Sequence, residues 1–189
     1  DPDALESVSF SARAAVGEDA VTLSAMTLEL DRSTMTGTMS LPMTASGSLG
    51  FDLEVDRIVL DGYMAPADES AAAGSGETSD VEIPVELIRA LNVNGSFRVR
   101  EASLTGMEFS DLEVGVDASG GRLRLNPLVA KFYDGGYAGD VRIDASQSVP
   151  FISVDERIAD VNLGAMMKAL YDVEDVTGTI SGHFQLQGA

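Results

Sequence analysis

The chain has 189 residues, no cysteine and a formal net charge of −19. Without cysteine it can form neither disulfides nor thiolate metal sites, and it has no thiol nucleophile. An acidic surface repels nucleic acid and anionic lipid headgroups, so we expect neither to bind through general electrostatic attraction. The acidic excess fits either a solubilising surface or adaptation to a saline medium. No apolar run approaches the roughly 18–20 residues that span a bilayer.

Alternating apolar and polar residues predict a meander of long antiparallel strands in the first part of the chain, residues 1–64. Val8, Phe10, Ala12 and Ala14 share one face of the first strand. The short connections favour hairpins over crossovers. A bulge is expected near Ala25 and Met26. The predicted strands cover residues 6–16, 21–30, 35–41 and 49–60.

Residues 65–82 interrupt this pattern with small and acidic residues and almost no bulky apolar groups. This composition is typical of a flexible loop or linker. Residues 83–189 then form a helix-plus-strands unit, which we expect to continue the same sheet as one domain with residues 1–64.

Two short helices are predicted in this second unit. Ile83–Leu91 has Pro84 at a first-turn position and apolar residues spaced by four. Asn162 can cap a second helix, Leu163–Tyr171, whose apolar residues follow a 3.6-residue period. Both are short enough to depend on tertiary contacts for their stability.

Strands occupy most of the rest of the unit. In the stretch from Gly120 to Asp144, Asn126-Pro127 is expected to end one strand, and Asp134-Gly135-Gly136 supplies a turn. A weak internal repeat of a helix followed by strands favours one modular sheet. The predicted strands are Ser96–Leu104, Met107–Ala118, Arg122–Leu125, Leu128–Tyr133, Tyr137–Ala145, Phe151–Ile158 and Val176–Leu186.

Several of these pieces, taken in order, resemble the C-terminal region of AsmA-family proteins. The likeness extends more loosely to Leu49–Tyr63, an alternating strand that ends in Asp-Gly-Tyr before a variable linker. The pieces are Ile83–Leu91, Asn94–Ser96, Gly120–Pro127, Phe132–Gly136, and Ile158–Leu163 leading into a short helix and Thr177-Gly178.

The resemblance implies a protein of the Gram-negative envelope, anchored in the inner membrane with its bulk in the periplasm. The start, Asp1–Asp3, has no signal-peptide features, so we expect this chain to be a soluble distal portion of a longer protein. Larger members look like long curved sheets with an apolar groove for phospholipid. Smaller members are linked to outer-membrane assembly and lipid homeostasis. The resemblance brings no catalytic residues, cofactor or metal, so it implies a protein that is not an enzyme.

The residues themselves give little sign of a reactive centre. His183 is the only histidine, so no histidine cluster can form. Strand alternation also places it on a solvated face, which makes a catalytic or metal-binding role unfavourable. The acidic runs Asp111–Glu113 and Asp172–Asp175 lack the spacing of a calcium loop and are interpreted as surface charge. No pattern of the nucleophile-elbow type occurs.

The apolar strand faces are the most informative feature for function, because they must be buried against a helix, a second layer or a ligand. A closed core and an open groove for acyl chains both remain compatible with the pattern. The candidate groove residues are Phe97, Val99, Met107, Phe109, Leu112, Val114, Val116, Val141, Ile143, Ile180 and Phe184.

We therefore expect a mainly β fold, with a strongly curved antiparallel sheet of long strands, taco-like or half-barrel in shape, and two short helices. The expected function is phospholipid handling or transport along an apolar groove in outer-membrane biogenesis. The alternative is a scaffold that assists outer-membrane protein assembly through its sheet edges or surface, without binding lipid. The expected partners are phospholipid acyl chains or outer-membrane assembly factors, and not nucleic acid.

Overall fold

The structure, a computed structural model, describes residues 7–59 and 84–188. The strands of this described part form one ten-stranded sheet in which the spatial order follows the chain order. The strands are β1 Val8–Val16, β2 Ala20–Leu30, β3 Ser33–Pro42, β4 Leu49–Val59, β5 Val93–Leu104, β6 Met107–Ser119, β7 Arg122–Phe132, β8 Gly135–Asp144, β9 Phe151–Asn162 and β10 Thr179–Gly188. The helices are α1 Val85–Ala90 and α2 Leu163–Tyr171.

The mainly β class, the long strands and the two short helices are confirmed in this described part. The sheet is not strongly curled. It is also not closed, because β1 and β10 are separate edges of the strand order. The taco-like or half-barrel shape therefore stays a prediction. The expected linker at 65–82 lies outside the described residues.

One strand pair departs from the antiparallel pairing that the sequence predicts for most of the sheet. β4 and β5 pair in parallel, from Leu49 opposite Val93 to Val59 opposite Ser103. The chain between them is long and contains α1, and parallel neighbours require such a crossover. The eight other strand pairs of the described sheet are antiparallel, as expected.

The predicted break at Asn126-Pro127 is wrong. β7 runs through both residues as one strand, and its register with β6 and with β8 shifts at this point. The irregularity puts Leu125 and Leu128 on the same face although they are three residues apart. Asn126-Pro127 therefore acts as a bulge inside β7. The bulge changes the direction of the side chains that follow, and the chain does not reverse.

Two other predictions made from local sequence features, a bulge in β2 and the cap of α2, agree with the structure. The expected bulge is confirmed, with Ala25 at φ 46° and a register shift between Leu23 and Met26. Asn162 caps α2 as predicted, because its side-chain oxygen accepts a hydrogen bond from the Ala165 amide at 3.0 Å. The first helix is shorter than expected and covers Val85–Ala90.

The buried core is small. One cluster contains Val55, Val99 and Ala102 on the adjacent strands β4 and β5, with Phe97 and Phe109 among the partly buried residues packed against it. Few other apolar side chains are fully buried because most of the sheet is a single layer. Those in the described part are Met26, Ile88, Ala118, Ala130, Ala145 and Val161.

Candidate functional site

The strand registers sort side chains onto two chemically different faces of the sheet. Directly opposite residues point to the same side, so a face can be followed from strand to strand. One such row passes from Leu28 through Met35, Val55 and Val99 to Leu112. We call the face that carries this row the apolar face. It spans both halves of the described chain.

All eleven groove residues expected from the sequence belong to the apolar face. On the central strands, Phe97 stands opposite Val114 and Ala102 opposite Phe109. Ile180 stands opposite the buried Val161 at the C-terminal end of the sheet. The registers that place the set are Phe97–Val114, Val99–Leu112, Gly95–Val116, Leu104–Met107, Ala102–Phe109, Leu125–Val141, Leu123–Ile143, Val161–Ile180 and Glu156–Phe184.

Sequence reasoning limited this face to the second half of the chain, and the structure extends it across β1–β4. Phe10, Leu28, Met35 and Phe51 lie on the same side as Phe97. The alternation of β1–β4 was already visible in the sequence. The sequence does not show the register of β4 against β5, and this register joins the two halves of the sheet into one surface.

The opposite side of the sheet, which we call the ion-pair face, carries cross-strand salt bridges. Arg98 reaches Asp52 at 2.6 Å and Arg57 reaches Glu101 at 2.8 Å, both across the parallel pair. Further along the sheet Lys131 pairs with Asp111 and Arg122 with Asp144. Much of the cationic charge of an acidic chain is thus held on one side.

Asp140 is the most strongly perturbed acid on the ion-pair face. Hydrogen bonds from Arg142 and Arg124, each at 2.7 Å, hold the pKa of its carboxyl well below the usual range. Hydrogen bonds from Ser146, followed by one from Arg122, lower the pKa of Asp144 to about 2. These carboxylates are therefore charged at neutral pH, and their arrangement is that of a solvated structural network.

The two helices cover only part of the sheet. α1 contacts β6 and β7, and Arg89 fastens it by donating to the Ala145 carbonyl at 2.7 Å. α2 contacts β6, β9 and β10. The apolar face is open towards both edges, where Phe10 is 58% exposed and Phe184 is 54% exposed.

A cleft of about 880 Å³ lies next to α2. Its apolar wall includes Ile58, Phe109 and Phe132, and Ala165 of α2 also lines it. The rings of Phe109 and Phe132 are 5.7 Å apart, in the range of favourable aromatic pairs. Charged side chains, among them Lys131, also border the cleft, so it offers apolar surface beside polar groups.

One carboxylate belongs to the apolar face, which sequence reasoning missed. Glu156 stands opposite Gly139 on one side and Phe184 on the other. The Tyr137 hydroxyl donates a hydrogen bond to it, and burial together with this bond raises the pKa of Tyr137 to about 12. The sequence does contain a signal for this position. Ile152, Val154 and Ile158 are alternate residues of one strand, and Glu156 belongs to the same alternating set.

His183 lies on the ion-pair face, as the alternation of β10 predicted. Its Nε2 atom is 2.8 Å from Asp155 Oδ1, and Gln185 donates to the other oxygen of the same carboxylate. Hydrogen bonds from Gln185 and then His183 lower the pKa of Asp155. Within residues 7–59 and 84–188, no group of three or more His, Cys, Asp or Glu side chains is arranged to hold a metal ion.

Comparisons with protein-family models, with curated proteins and with solved structures find no match for this chain. Among the helices described, none has the length and apolar character needed to cross a membrane.

Proposed function

We propose that this chain is the periplasmic part of an AsmA-like envelope protein that holds phospholipid acyl chains on its apolar face in support of outer-membrane biogenesis. It acts by binding and guiding lipid and performs no catalysis. Its longer parent protein is anchored in the inner membrane. The observation that supports this proposal is the sorting of the sheet into an apolar face and an ion-pair face, with two short helices as partial cover.

An apolar sheet face normally packs against a second layer. Here only α1 and α2 supply one in the described part, and Val8, Phe10 and Leu186 are more than half exposed. Large contiguous apolar surface on a soluble protein is typical of a partner or ligand site. Acyl chains suit this surface because they need apolar contact along a length and few directional bonds.

The acidic character of the chain agrees with binding through acyl chains. A protein with a net charge of −19 gains nothing from broad attraction to anionic headgroups. In this proposal headgroups stay near solvent, and a stronger curvature of the sheet, taco-like or half-barrel, would wrap the chains.

The proposal can be tested by measuring the lipid that the chain retains after incubation with phospholipid vesicles and separation by size. F109E places a charge in the cleft on the apolar face, and we expect it to reduce retained phospholipid by about tenfold. S119E is the matched control, because Ser119 lies on the same strand, is exposed opposite Arg122 on the ion-pair face and does not line the cleft. It should retain lipid as the wild type does.

Circular dichroism of both variants establishes that the strand content is preserved. If Phe109 proves too important for folding, F184E at the exposed edge tests the same face with less cost to the core. A wild-type chain that retains no phospholipid, or equal retention by F109E and S119E with both variants folded, would contradict the proposal.

The exposed edge strands favour one other function, that of a scaffold. Every residue of β1 and β10 is exposed, and each strand leaves one row of backbone hydrogen-bonding groups without a neighbouring strand in the described sheet. Such edges can add a strand from an assembly factor. A lipid-free chain whose edges become protected from hydrogen exchange on adding outer-membrane assembly factors would support this function instead.

A further inference from the structure

We propose that Glu156, with Tyr137 and Phe184, forms a recognition site on the apolar face for lipids whose headgroup ends in an ammonium group. This inference rests on the lipid-binding function proposed above and names the class of lipid that is preferred. It is drawn from the position of one carboxylate relative to the two faces of the sheet.

Glu156 is the only charged residue that the described strand registers place on the apolar face. Its neighbours Asp155 and Arg157 point to the ion-pair face, where Asp155 contacts His183. None of the ion pairs formed among the described residues includes Glu156. A carboxylate on an apolar surface without a cation is an uncompensated charge, which a cationic ligand group would stabilise.

The position of this carboxylate is fixed by its neighbours on β8. Tyr137 extends over Gly139, since a Cβ atom at Gly139 would lie 2.8 Å from the Tyr137 hydroxyl oxygen. Gly139 is the direct partner of Glu156, so the hydroxyl reaches the carboxylate across the space that the glycine leaves. One hydrogen bond from a neutral phenol orients the carboxylate and leaves its negative charge in place.

The third member of the site is an aromatic ring on the edge strand. Phe184 stands opposite Glu156 on β10 and is 54% exposed. The face of an aromatic ring attracts a cation, and aromatic rings recur in binding sites for ammonium ligands. The Glu156 carboxylate adds a direct charge attraction. An ammonium group bound here would leave the acyl chains free to lie on the apolar side chains nearby, among them Val154 and Ile158.

The charge of the site selects among headgroups. An ammonium-bearing zwitterionic headgroup pairs with Glu156, whereas a glycerol headgroup supplies only hydroxyls beside its phosphate. The expected preference is about threefold to fivefold, which is the factor that a partly solvated ion pair supplies.

The test uses vesicles that contain equal amounts of phosphatidylethanolamine and phosphatidylglycerol. Lipid that remains with the chain after size separation is extracted, and the ratio of the two headgroups is measured by mass spectrometry. We expect the wild type to enrich phosphatidylethanolamine and E156Q to lose most of that enrichment while it retains a similar total amount of lipid.

D155N is the matched control, because it removes the same charge from the adjacent residue on the opposite face. General repulsion of anionic lipid changes equally in both variants, so only a local site separates them. An unchanged enrichment in E156Q, or equal losses in E156Q and D155N, would overturn this inference while retained lipid still supports the proposed function. A wild type that retains no lipid would overturn both.

Discussion

Asp140 accepts hydrogen bonds from Arg124 and Arg142, and its side chain is only 21% exposed, so it is the acid on the ion-pair face whose loss should be easiest to measure. We expect D140N to lower the free energy of unfolding by about 1 kcal/mol at neutral pH, because solvent screens part of the interaction. The pKa of this carboxyl is lowered in the folded chain. Its contribution is therefore complete above the unfolded value of about 3.9 and declines as the pH falls below it.

Denaturant unfolding of the wild type and D140N at several pH values measures this difference. E108Q is a suitable control, because Glu108 is exposed and none of the described ion pairs includes it. The gap between wild type and D140N should narrow from about pH 4 downwards. A gap that stays constant into stronger acid would show that the lowered pKa does not stabilise the fold.

The groove residues and Glu156 show what strand alternation can and cannot predict for single residues. Most of the eleven groove residues could be assigned to one face from the sequence, because they recur two residues apart along β5, β6 and β8. Glu156 was hidden inside the charged run Asp155–Arg157, in which neighbouring charges point to opposite faces. Every second residue from Ile152 onwards shares its face, and this rule alone would have placed Glu156 on the apolar face. Its proximity to Tyr137, however, follows from the register of β8 against β9, which the sequence does not show.

Among the elements, the hairpins and the capped helix α2 were predictable because their determinants are local. The path through Asn126-Pro127 was not, since a bulge and a turn use the same residue types. The parallel register of β4 and β5 is a long-range feature across a connection of more than 30 residues, residues 60–92. No local pattern specifies such a pairing.

That parallel pair depends on a glycine. Gly95 stands opposite Phe51, and a Cβ atom at Gly95 would lie 2.3 Å from the Phe51 carbonyl oxygen and 2.6 Å from its Cγ atom. We expect G95A to lower the free energy of unfolding by about 2 kcal/mol, because the backbone of β4 must move. The control G136A adds a methyl group where no atom lies within 4 Å and should change stability by less than about 0.5 kcal/mol. Equal effects of the two variants in thermal or denaturant unfolding would contradict this close approach.

At the scale of the whole molecule, the sheet combines a protected centre with two open edges. The Val55, Val99 and Ala102 cluster lies on β4 and β5, close to the middle of the strand order. Towards either edge the strands lose neighbours, and every residue of β1 and β10 is exposed. Because each strand pairs mainly with its sequence neighbours, stability should fall gradually from the centre to the edges.

Hydrogen exchange can measure this gradient directly. We expect the amides of β5 and β6 to exchange most slowly and those of β1 and β10 to exchange first, because edge strands open with little loss of buried apolar surface. Dilution should leave this order unchanged if the edges are free in solution. Edge amides as slow as those of β5 would contradict the expectation. If that protection then disappeared on dilution, the edges would be paired with other copies of the chain, and the scaffold function would gain support over lipid binding.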